Sequence, residues 1–224
     1  MKRLKPVMRL RPTLLVLLAL IPAFAAGPAR AIQSGDPAAL VSSLVNEAIS
    51  NIKDTQASQS SREEKFRSLL ESGFDIPRIS RFVMGRYWTS ASDQERRQFS
   101  SLFEDWIVRT YAARFKQYSG QAIQVTGTRT EGETGTVVLS QFVDPNGAPP
   151  AKVEWRVRKD PSAGYKVIDV SVEGVSMALT QRDEIAAVAD RSGGTVQSLN
   201  SALQQKIQSG APAPGGPPAP SPGG

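Results

Sequence analysis

Hydrophobic residues in the first half of the chain recur at helical spacing, and polar residues mark where helices start. One apolar stripe begins directly after Asp36 and Pro37. Residues 61–64 (SREE) and 92–95 (SDQE) are capping-box sequences, in which a serine hydroxyl and a glutamate carboxylate satisfy each other's backbone amides. The predicted helices lie at about 37–52, 61–72, 75–84 and 93–118.

The pattern changes to strands in the second half of the chain. Four segments rich in β-branched and aromatic residues are separated by Gly, Asp and Pro turn signals. In the third segment Val153, Trp155 and Val157 alternate with charged residues, which predicts one apolar and one solvent-facing side. Helical spacing then returns at about 175–190 and again up to Ile207. The predicted strands are 122–130, 134–143, 152–159 and 165–173.

These elements predict one α+β domain over residues 32–209. A helical layer is expected to pack on a curved antiparallel sheet of about four or five strands. Aromatic and aliphatic side chains are dense on the elements that would face the sheet. Such residues either fill an ordinary core or line a cavity, and the sequence pattern leaves both possibilities open.

The two ends of the chain are expected to lie outside this domain. Five cations within the first 11 residues precede an apolar run of about 14 residues, which is short of the roughly 20 that span a membrane. The interpretation is a signal peptide over 1–31 cut after Ala31, with 23–25 as a rival site and an uncleaved anchor as the alternative. Residues 210–224 hold six Pro and five Gly, which predicts a disordered tail.

The charge balance argues against nucleic acid as a partner. The chain has 27 Lys and Arg against 21 Asp and Glu. Six of the basic residues lie within 1–31, where there is no acid, so the remainder is balanced at 21 of each sign. A neutral domain lacks the cationic surface that phosphate backbones require.

The residue types present exclude several chemistries. There is no Cys and no His, so zinc sites built on them, thiol catalysis and imidazole triads are excluded, and no cofactor is expected. Asp169 could act as a base beside apolar neighbours, but its strand position favours an exposed or hydrogen-bonded carboxylate. Four arginines around the short third helix are either solvated or form a docking surface for an acidic partner. They are Arg81, Arg86, Arg96 and Arg97.

An ordered series of segments resembles the MlaC family, also called the toluene-tolerance periplasmic family. The segments are FDIPRISRFVMGRYW at 74–88, ASDQ at 91–94, WRV at 155–157, YKVIDVSVEGVS at 165–176 and QRDE at 181–184. Phe99, Phe103 and Tyr111 continue the likeness, as does the pair Gly193-Gly194. The series covers nearly the whole predicted domain. The hopanoid-associated branch, HpnM, is similar in the same places.

The resemblance implies a soluble, monomeric periplasmic carrier of phospholipid or a hopanoid-type lipid. Lipid tails would lie in an apolar cavity enclosed between helices and sheet. Cargo would pass to and from an inner-membrane lipid transporter complex and an outer-membrane lipoprotein complex. An adaptor with a filled core is the alternative, and an acid/base enzyme on a similar fold is a third possibility. The expected lining residues are Val83, Phe103, Trp106, Ile107, Phe142, Trp155, Val157, Ile168 and Val170.

Overall fold

We describe the fold from a computed structural model. The described residues are 35–54, 56–114, 120–147, 149–162 and 164–213. The predicted signal peptide and the part of the predicted tail beyond Ala213 lie outside them. Within these ranges, no helix combines the length and the apolar character that crossing a membrane requires.

The chain forms helices first, then a sheet, then two further helices. The helices are α1 (Pro37–Lys53), α2 (Gln59–Gly73), α3 (Ile76–Met84), α4 (Tyr87–Ser90), α5 (Asp93–Arg114), α6 (Met177–Arg191) and α7 (Val196–Gln208). The strands are β1 (Ala122–Glu131), β2 (Gly135–Val143), β3 (Ala151–Asp160), β4 (Gly164–Val172) and β5 (Val175–Ser176). The predicted α+β class is confirmed.

One of the two predicted capping boxes is present. At the start of α5, the backbone N–H of Ser92 donates to Glu95 Oε2 at 2.9 Å, and the N–H of Glu95 donates to Ser92 Oγ at 3.3 Å. The box predicted at 61–64 is wrong, because Ser58 caps α2 by accepting from the N–H of Ser61 at 3.1 Å. Helix α2 therefore starts two residues before the predicted box.

The five strands form an antiparallel meander in the order β1-β2-β3-β4-β5. Two register shifts interrupt it, one between Val125 and Gly127 in β1 and one where β4 passes Arg156 and Val157 of β3. An extra residue on one strand bends that strand and increases its twist. The second shift leaves Ile168 as the extra residue, because Val157 pairs with Val167 and Arg156 with Asp169.

The apolar interior is divided into two clusters. The helical cluster is formed by side chains of the five helices from α3 through α7. Its buried members include Phe99, Phe103, Trp106, Leu199 and Leu203. The sheet cluster lies between α1, α2 and one face of the sheet. Its buried members are Leu40, Val41, Leu44, Val45, Leu69, Val138, Val153, Trp155, Val157 and Val167. Burial of these side chains is the main stabilising contribution in each cluster.

Backbone contacts attach the junction of α2 and α3 to strand β4. Phe74 forms an isolated parallel bridge with Val167, and the N–H of Asp75 donates to the carbonyl of Val167 at 3.0 Å. The ammonium of Lys166 donates to the carbonyls of Glu71 and Ser72 at 2.8 and 2.6 Å. A cation at the last carbonyls of a helix is favourable, so Lys166 helps fix the end of α2 on the sheet.

The folded part extends beyond the predicted boundary at residue 209. Trp106 Nε1 donates to the carbonyl of Ala211 at 2.8 Å, and the N–H of Ala213 donates to Thr110 Oγ1 at 2.7 Å. Ala213 is buried in the helical cluster. The start of the Pro/Gly segment therefore packs on α5, because its small residues and free backbone groups fit between two polar atoms of that helix.

Replacing Trp106 by Phe should loosen this C-terminal segment and leave a small unfilled volume in the helical cluster, because Trp106 is fully buried. The change removes one hydrogen bond, which contributes about 1 kcal/mol to the free energy of unfolding. We expect hydrogen exchange at the Ala213 amide to accelerate, and Thr110→Val should do the same by removing the acceptor. Trp88→Phe is the control and should leave the Ala213 amide protected. Equal protection in all three variants would show that these bonds do not hold the segment.

Candidate functional site

The sheet cluster is covered much less completely than the helical cluster. Among the described residues, the sheet cluster has 10 buried and 11 partly buried apolar members, whereas the helical cluster has 15 and 5. Large apolar side chains that stay partly exposed around one layer are typical of a surface that binds a ligand. The sheet cluster is therefore the candidate site.

Strand register builds the floor of this site. Val138, Trp155 and Val170 lie directly opposite one another on β2, β3 and β4, so their side chains share one face of the sheet. Val153 and Val172 form the next pair on the same face. Helix α1 covers this floor with an apolar stripe that lies on its inner side. The buried part of the stripe is Leu40, Val41, Leu44 and Val45.

A buried serine fixes the indole of Trp155. Trp155 Nε1 donates to Ser140 Oγ at 3.0 Å, and Ser140 Oγ donates to the carbonyl of Val153 at 2.9 Å. An indole N–H without a partner in an apolar layer would cost about 1 to 3 kcal/mol, so this chain of bonds lets Trp155 lie in the floor. The sequence analysis did not identify Ser140. Its place on the apolar side of the alternating pattern in β2 could have marked it as a buried polar residue.

Half-exposed aromatic rings surround the floor. Phe66 and Phe74 come from α2 and its end, Phe142 from β2 and Tyr165 from β4, and all four are partly buried members of the sheet cluster. The rings of Phe66 and Tyr111 lie 6.3 Å apart between centroids. Flat, partly covered rings can move aside for or pack against an acyl chain without breaking a polar contact. This arrangement can bind hydrocarbon and offers no reactive group.

An ion-pair set beside Phe66 holds α2 to α5. The guanidinium of Arg67 contacts Glu104 at 2.6 Å and Asp105 at 2.5 Å. Burial raises the pKa of the Glu104 carboxyl, and the hydrogen bond from Arg67 opposes that rise. These contacts position α2 next to the helical cluster while its Phe66 remains on the side of the sheet cluster.

Close packing of α2 on α1 depends on a glycine. A Cβ at Gly73 would lie 2.2 Å from Leu44 Cδ2, far inside van der Waals contact. Gly73 therefore lets the end of α2 approach the α1 residue that covers the floor. This position has an ordinary backbone conformation, so the glycine serves the close approach and not the dihedral angles.

The structure does not bring the expected lining residues together. Phe142, Trp155, Val157 and Val170 belong to the sheet cluster. Val83, Phe103 and Trp106 lie in the helical cluster, with Ile107 packed against it. Helix α5 packs against α2, α3 and α7. Its broad apolar face is thus used by other helices, and the expectation that it faces the sheet is wrong.

Ile168 is a separate case. The bulge makes Val167 the buried residue opposite Val157, and Ile168 belongs to neither cluster. Strict alternation from Val170 and Val172 placed Ile168 on the apolar side, and one extra residue in β4 invalidates that count. Val167 takes its place among the buried members of the sheet cluster.

Asp169 has a structural role at the start of α6. Its carboxylate accepts from Ser176 Oγ at 2.7 Å and from the N–H of Ala178 at 3.0 Å, and Arg156 lies 3.3 Å away. The bond to the Ala178 N–H satisfies a free backbone donor at the N-terminus of α6. The expectation of a hydrogen-bonded carboxylate is met, although the bonds go to a helix start rather than a loop.

The remaining candidate features are metal-ligand groups and surface depressions. No group of three or more Asp or Glu side chains in the described ranges is placed to hold a metal ion. Two open surface depressions, of about 410 and 480 Å³, lie on α6 and α7. Ser, Thr and Gln side chains form most of the first wall, whereas the second wall also includes Val188 and Ala202.

Two of the four expected docking arginines are used inside the fold. Arg86 donates to Asp190 at 2.5 Å and to the Tyr87 hydroxyl at 2.9 Å. The hydrogen bond from Tyr87, together with the charge of Arg86, holds the pKa of Asp190 below its usual range. Arg96 lies over the Trp88 ring at 5.4 Å and donates to the Trp88 carbonyl at 3.0 Å.

The other two arginines are available at the surface. Arg81 on α3 and Arg97 on α5 are exposed, and neither forms an ion pair with another described residue. An unpaired surface cation can meet an incoming acidic group without first breaking a contact. Arg81 and Arg97 therefore fit a docking role better than Arg86 and Arg96 do.

Comparison with known proteins identifies similar chains. The family model described as MlaC protein matches residues 42–205. The intermembrane phospholipid transport system binding protein MlaC of Haemophilus influenzae is 27% identical over 125 residues, which are 55% of this chain and 58% of that protein. The aligned region thus spans less than two thirds of that relative.

A solved structure is similar over a longer stretch. It is the phospholipid-binding protein from Ralstonia solanacearum in complex with a phospholipid. The TM-score is 0.67 and the sequence identity 26%, and the match covers 79% of this chain and 99% of that one.

Proposed function

The chain belongs to the MlaC family, and from that premise we propose that it is a lipid carrier that holds phospholipid acyl chains in the sheet cluster. The observation that carries the proposal is the half-covered apolar layer between α1, α2 and the sheet. The phospholipid-bound structure that resembles this chain supports phospholipid over a hopanoid-type lipid as the cargo.

The physical task explains why an apolar layer is sufficient. Transfer of about 30 acyl methylenes into water costs on the order of 25 kcal/mol, at about 0.8 kcal/mol each. In the sheet cluster the acyl chains contact valines, Trp155 and the surrounding aromatic rings instead of water. This removes most of the transfer cost. No bond is made or broken in this task, so we propose a binding protein and not an enzyme.

The proposed setting is the periplasm. Export would use the signal peptide over 1–31, and the intact mass of the exported chain tests cleavage after Ala31. The carrier would act as a monomer and exchange lipid with an inner-membrane transporter complex and an outer-membrane lipoprotein complex. The name of the Haemophilus influenzae relative, an intermembrane phospholipid transport system binding protein, supports this setting.

Transfer between vesicles tests the carrier function. Donor vesicles with isotope-labelled phospholipid and unlabelled acceptor vesicles are separated by a membrane that passes only the protein. We expect label to reach the acceptor in proportion to the protein present, because the sheet cluster shields the tails in transit. The proposal would be contradicted if the folded protein took up no lipid from the donor vesicles and delivered none to the acceptor.

Charge reversal of the surface arginines should slow association with a membrane complex. For Arg81→Glu with Arg97→Glu, we expect the on-rate to fall at low salt and to approach that of the unaltered protein at high salt, because screening removes electrostatic steering. The measurement is surface-based kinetics against the inner-membrane complex across ionic strength.

The paired arginines provide the comparison. Arg86→Gln and Arg96→Gln should lower thermal stability and leave the on-rate nearly unchanged. Arg86 bonds to Tyr87 of α4 and to Asp190 of α6, and Arg96 bonds to Trp88 of α4. If the on-rate did not change at any of the four positions, none of these arginines would steer docking to the membrane complex.

A further inference from the structure

Three large apolar side chains stand out of the surface at one place. Phe82 is 38% exposed, Val175 57% and Leu179 51%, and they are the large hydrophobic residues most exposed to solvent in the described ranges. They lie on α3, β5 and the first turn of α6, and α3 packs against α6. We call this surface the α3–α6 corner.

Contacts make the corner continuous. The guanidinium of Arg182 lies 5.0 Å from the centre of the Phe82 ring, which joins α3 to α6. Leu179 lies one turn before Arg182 on the same exposed side of α6. Val175 pairs directly with Val172, a partly buried member of the sheet cluster. Val175 therefore lies next to the edge of the sheet cluster.

Guanidinium groups lie around Phe82, whereas carboxylates lie near the other two side chains. Arg78 and Arg81 lie beside Phe82 on the exposed side of α3, and Arg182 covers its ring. Asp183 is the exposed carboxylate next to Leu179 on α6, and Asp75 caps α3 through the N–H of Arg78 at 3.0 Å. Three guanidinium groups thus lie around Phe82, and the exposed carboxylates of Asp183 and Glu173 lie near Leu179 and Val175.

We propose that the α3–α6 corner docks on the surface of a bilayer that contains anionic phospholipid. Phe and Leu side chains enter the boundary between headgroups and acyl chains, and surrounding arginines contact anionic headgroups. Exposed apolar side chains beside guanidinium groups match the chemistry of an anionic lipid surface, which offers both headgroup charge and acyl chains. The cation–π contact keeps Arg182 beside Phe82 as the ring enters the interface.

Vesicle sedimentation tests this contact. The exported protein is mixed with vesicles of equal parts phosphatidylglycerol and phosphatidylcholine, or of phosphatidylcholine alone, at low salt. We expect binding to the anionic vesicles. Arg78→Gln with Arg182→Gln should weaken binding about tenfold or more, and Leu179→Ser about tenfold, since each loses headgroup attraction or inserted apolar area.

A matched charge control separates local from general attraction. Arg109→Gln with Lys152→Gln removes two exposed cations, one from α5 and one from β3, and should leave vesicle binding within about twofold. Failure of the unaltered protein to sediment, or equal loss in the corner and control variants, would overturn the proposal. Loss of binding to a membrane complex with unchanged vesicle binding would also overturn it, in favour of a protein-docking surface.

The membrane contact goes beyond the carrier function, and the two are measured separately. Lipid mass in each purified variant reports on the sheet cluster, and sedimentation reports on the corner. We expect the corner variants to keep their lipid, because their side chains are exposed and lie outside the floor. A protein that holds lipid but does not bind vesicles would contradict only the membrane contact proposed for the α3–α6 corner. A protein that binds vesicles but holds no lipid contradicts only the cargo site.

Discussion

Val170→Asn should strip co-purifying lipid from the protein while leaving the lipid-free form folded. Val170 lies in the floor beside Trp155 and is partly exposed, so an amide there can keep water when no lipid is bound. With lipid bound, the same amide would face hydrocarbon without a partner, at a cost of about 1 to 3 kcal/mol. Lipid content by mass spectrometry and folding by circular dichroism are the two measurements.

Two controls define the site. Ile168 lies two residues from Val170 on the same strand. The Ile168→Asn protein should keep its lipid, because the bulge removes Ile168 from the sheet cluster. Leu203→Asn in the helical cluster should instead destabilise the fold by at least the roughly 2 to 5 kcal/mol of a large-to-small core change, since Leu203 is fully buried. If Val170→Asn unfolds the domain and Ile168→Asn strips the lipid, the site is placed wrongly.

Gly73→Ala should destabilise the protein by about 1 to 3 kcal/mol. In most helices this change stabilises by up to about 1 kcal/mol, because alanine has the higher helix propensity. Here the new methyl would lie 2.2 Å from Leu44 Cδ2, and Leu44 is buried against the floor. The clash therefore outweighs the propensity. Urea unfolding measures the difference.

A double-mutant cycle isolates the cause. In a Leu44→Ala background, Gly73→Ala should become neutral or stabilising, because the clashing atoms are gone. Gly127→Ala is the second control, since a methyl there would meet no atom within 4 Å. If Gly73→Ala lowered stability equally in the unaltered protein and in the Leu44→Ala protein, the new methyl group would not clash with Leu44.

The sequence predicted the order and type of the elements well. Helical stripes, turn signals and β-branched segments placed the long helices and four strands near their observed bounds. Boundaries set by single side chains were less secure. Both Ser58 and Ser61 can cap α2, and only the packing of the helix decides between them. The short β5, with two residues, is defined by its pairing with β4 and has no pattern of its own.

The candidate site was only partly predictable. Alternation in β3 identified Trp155 and Val157 as members of an apolar face, and both lie in the sheet cluster. Periodicity also shows that α5 has a broad apolar face, but it cannot show what that face packs against. Phe103 and Trp106 were therefore assigned to the wrong neighbour. The bulge at Ile168 is set by pairing between strands, which local alternation does not report.

Native mass spectrometry of the protein purified from its own periplasm tests the central claim most directly. The account predicts a complex heavier than the mature chain by the mass of a phospholipid, which dissociates on collision and is identified by its fragments. The same complex should be absent for Val170→Asn and present for Ile168→Asn. A folded protein that carries no lipid mass under these conditions would contradict the claim that the sheet cluster holds lipid.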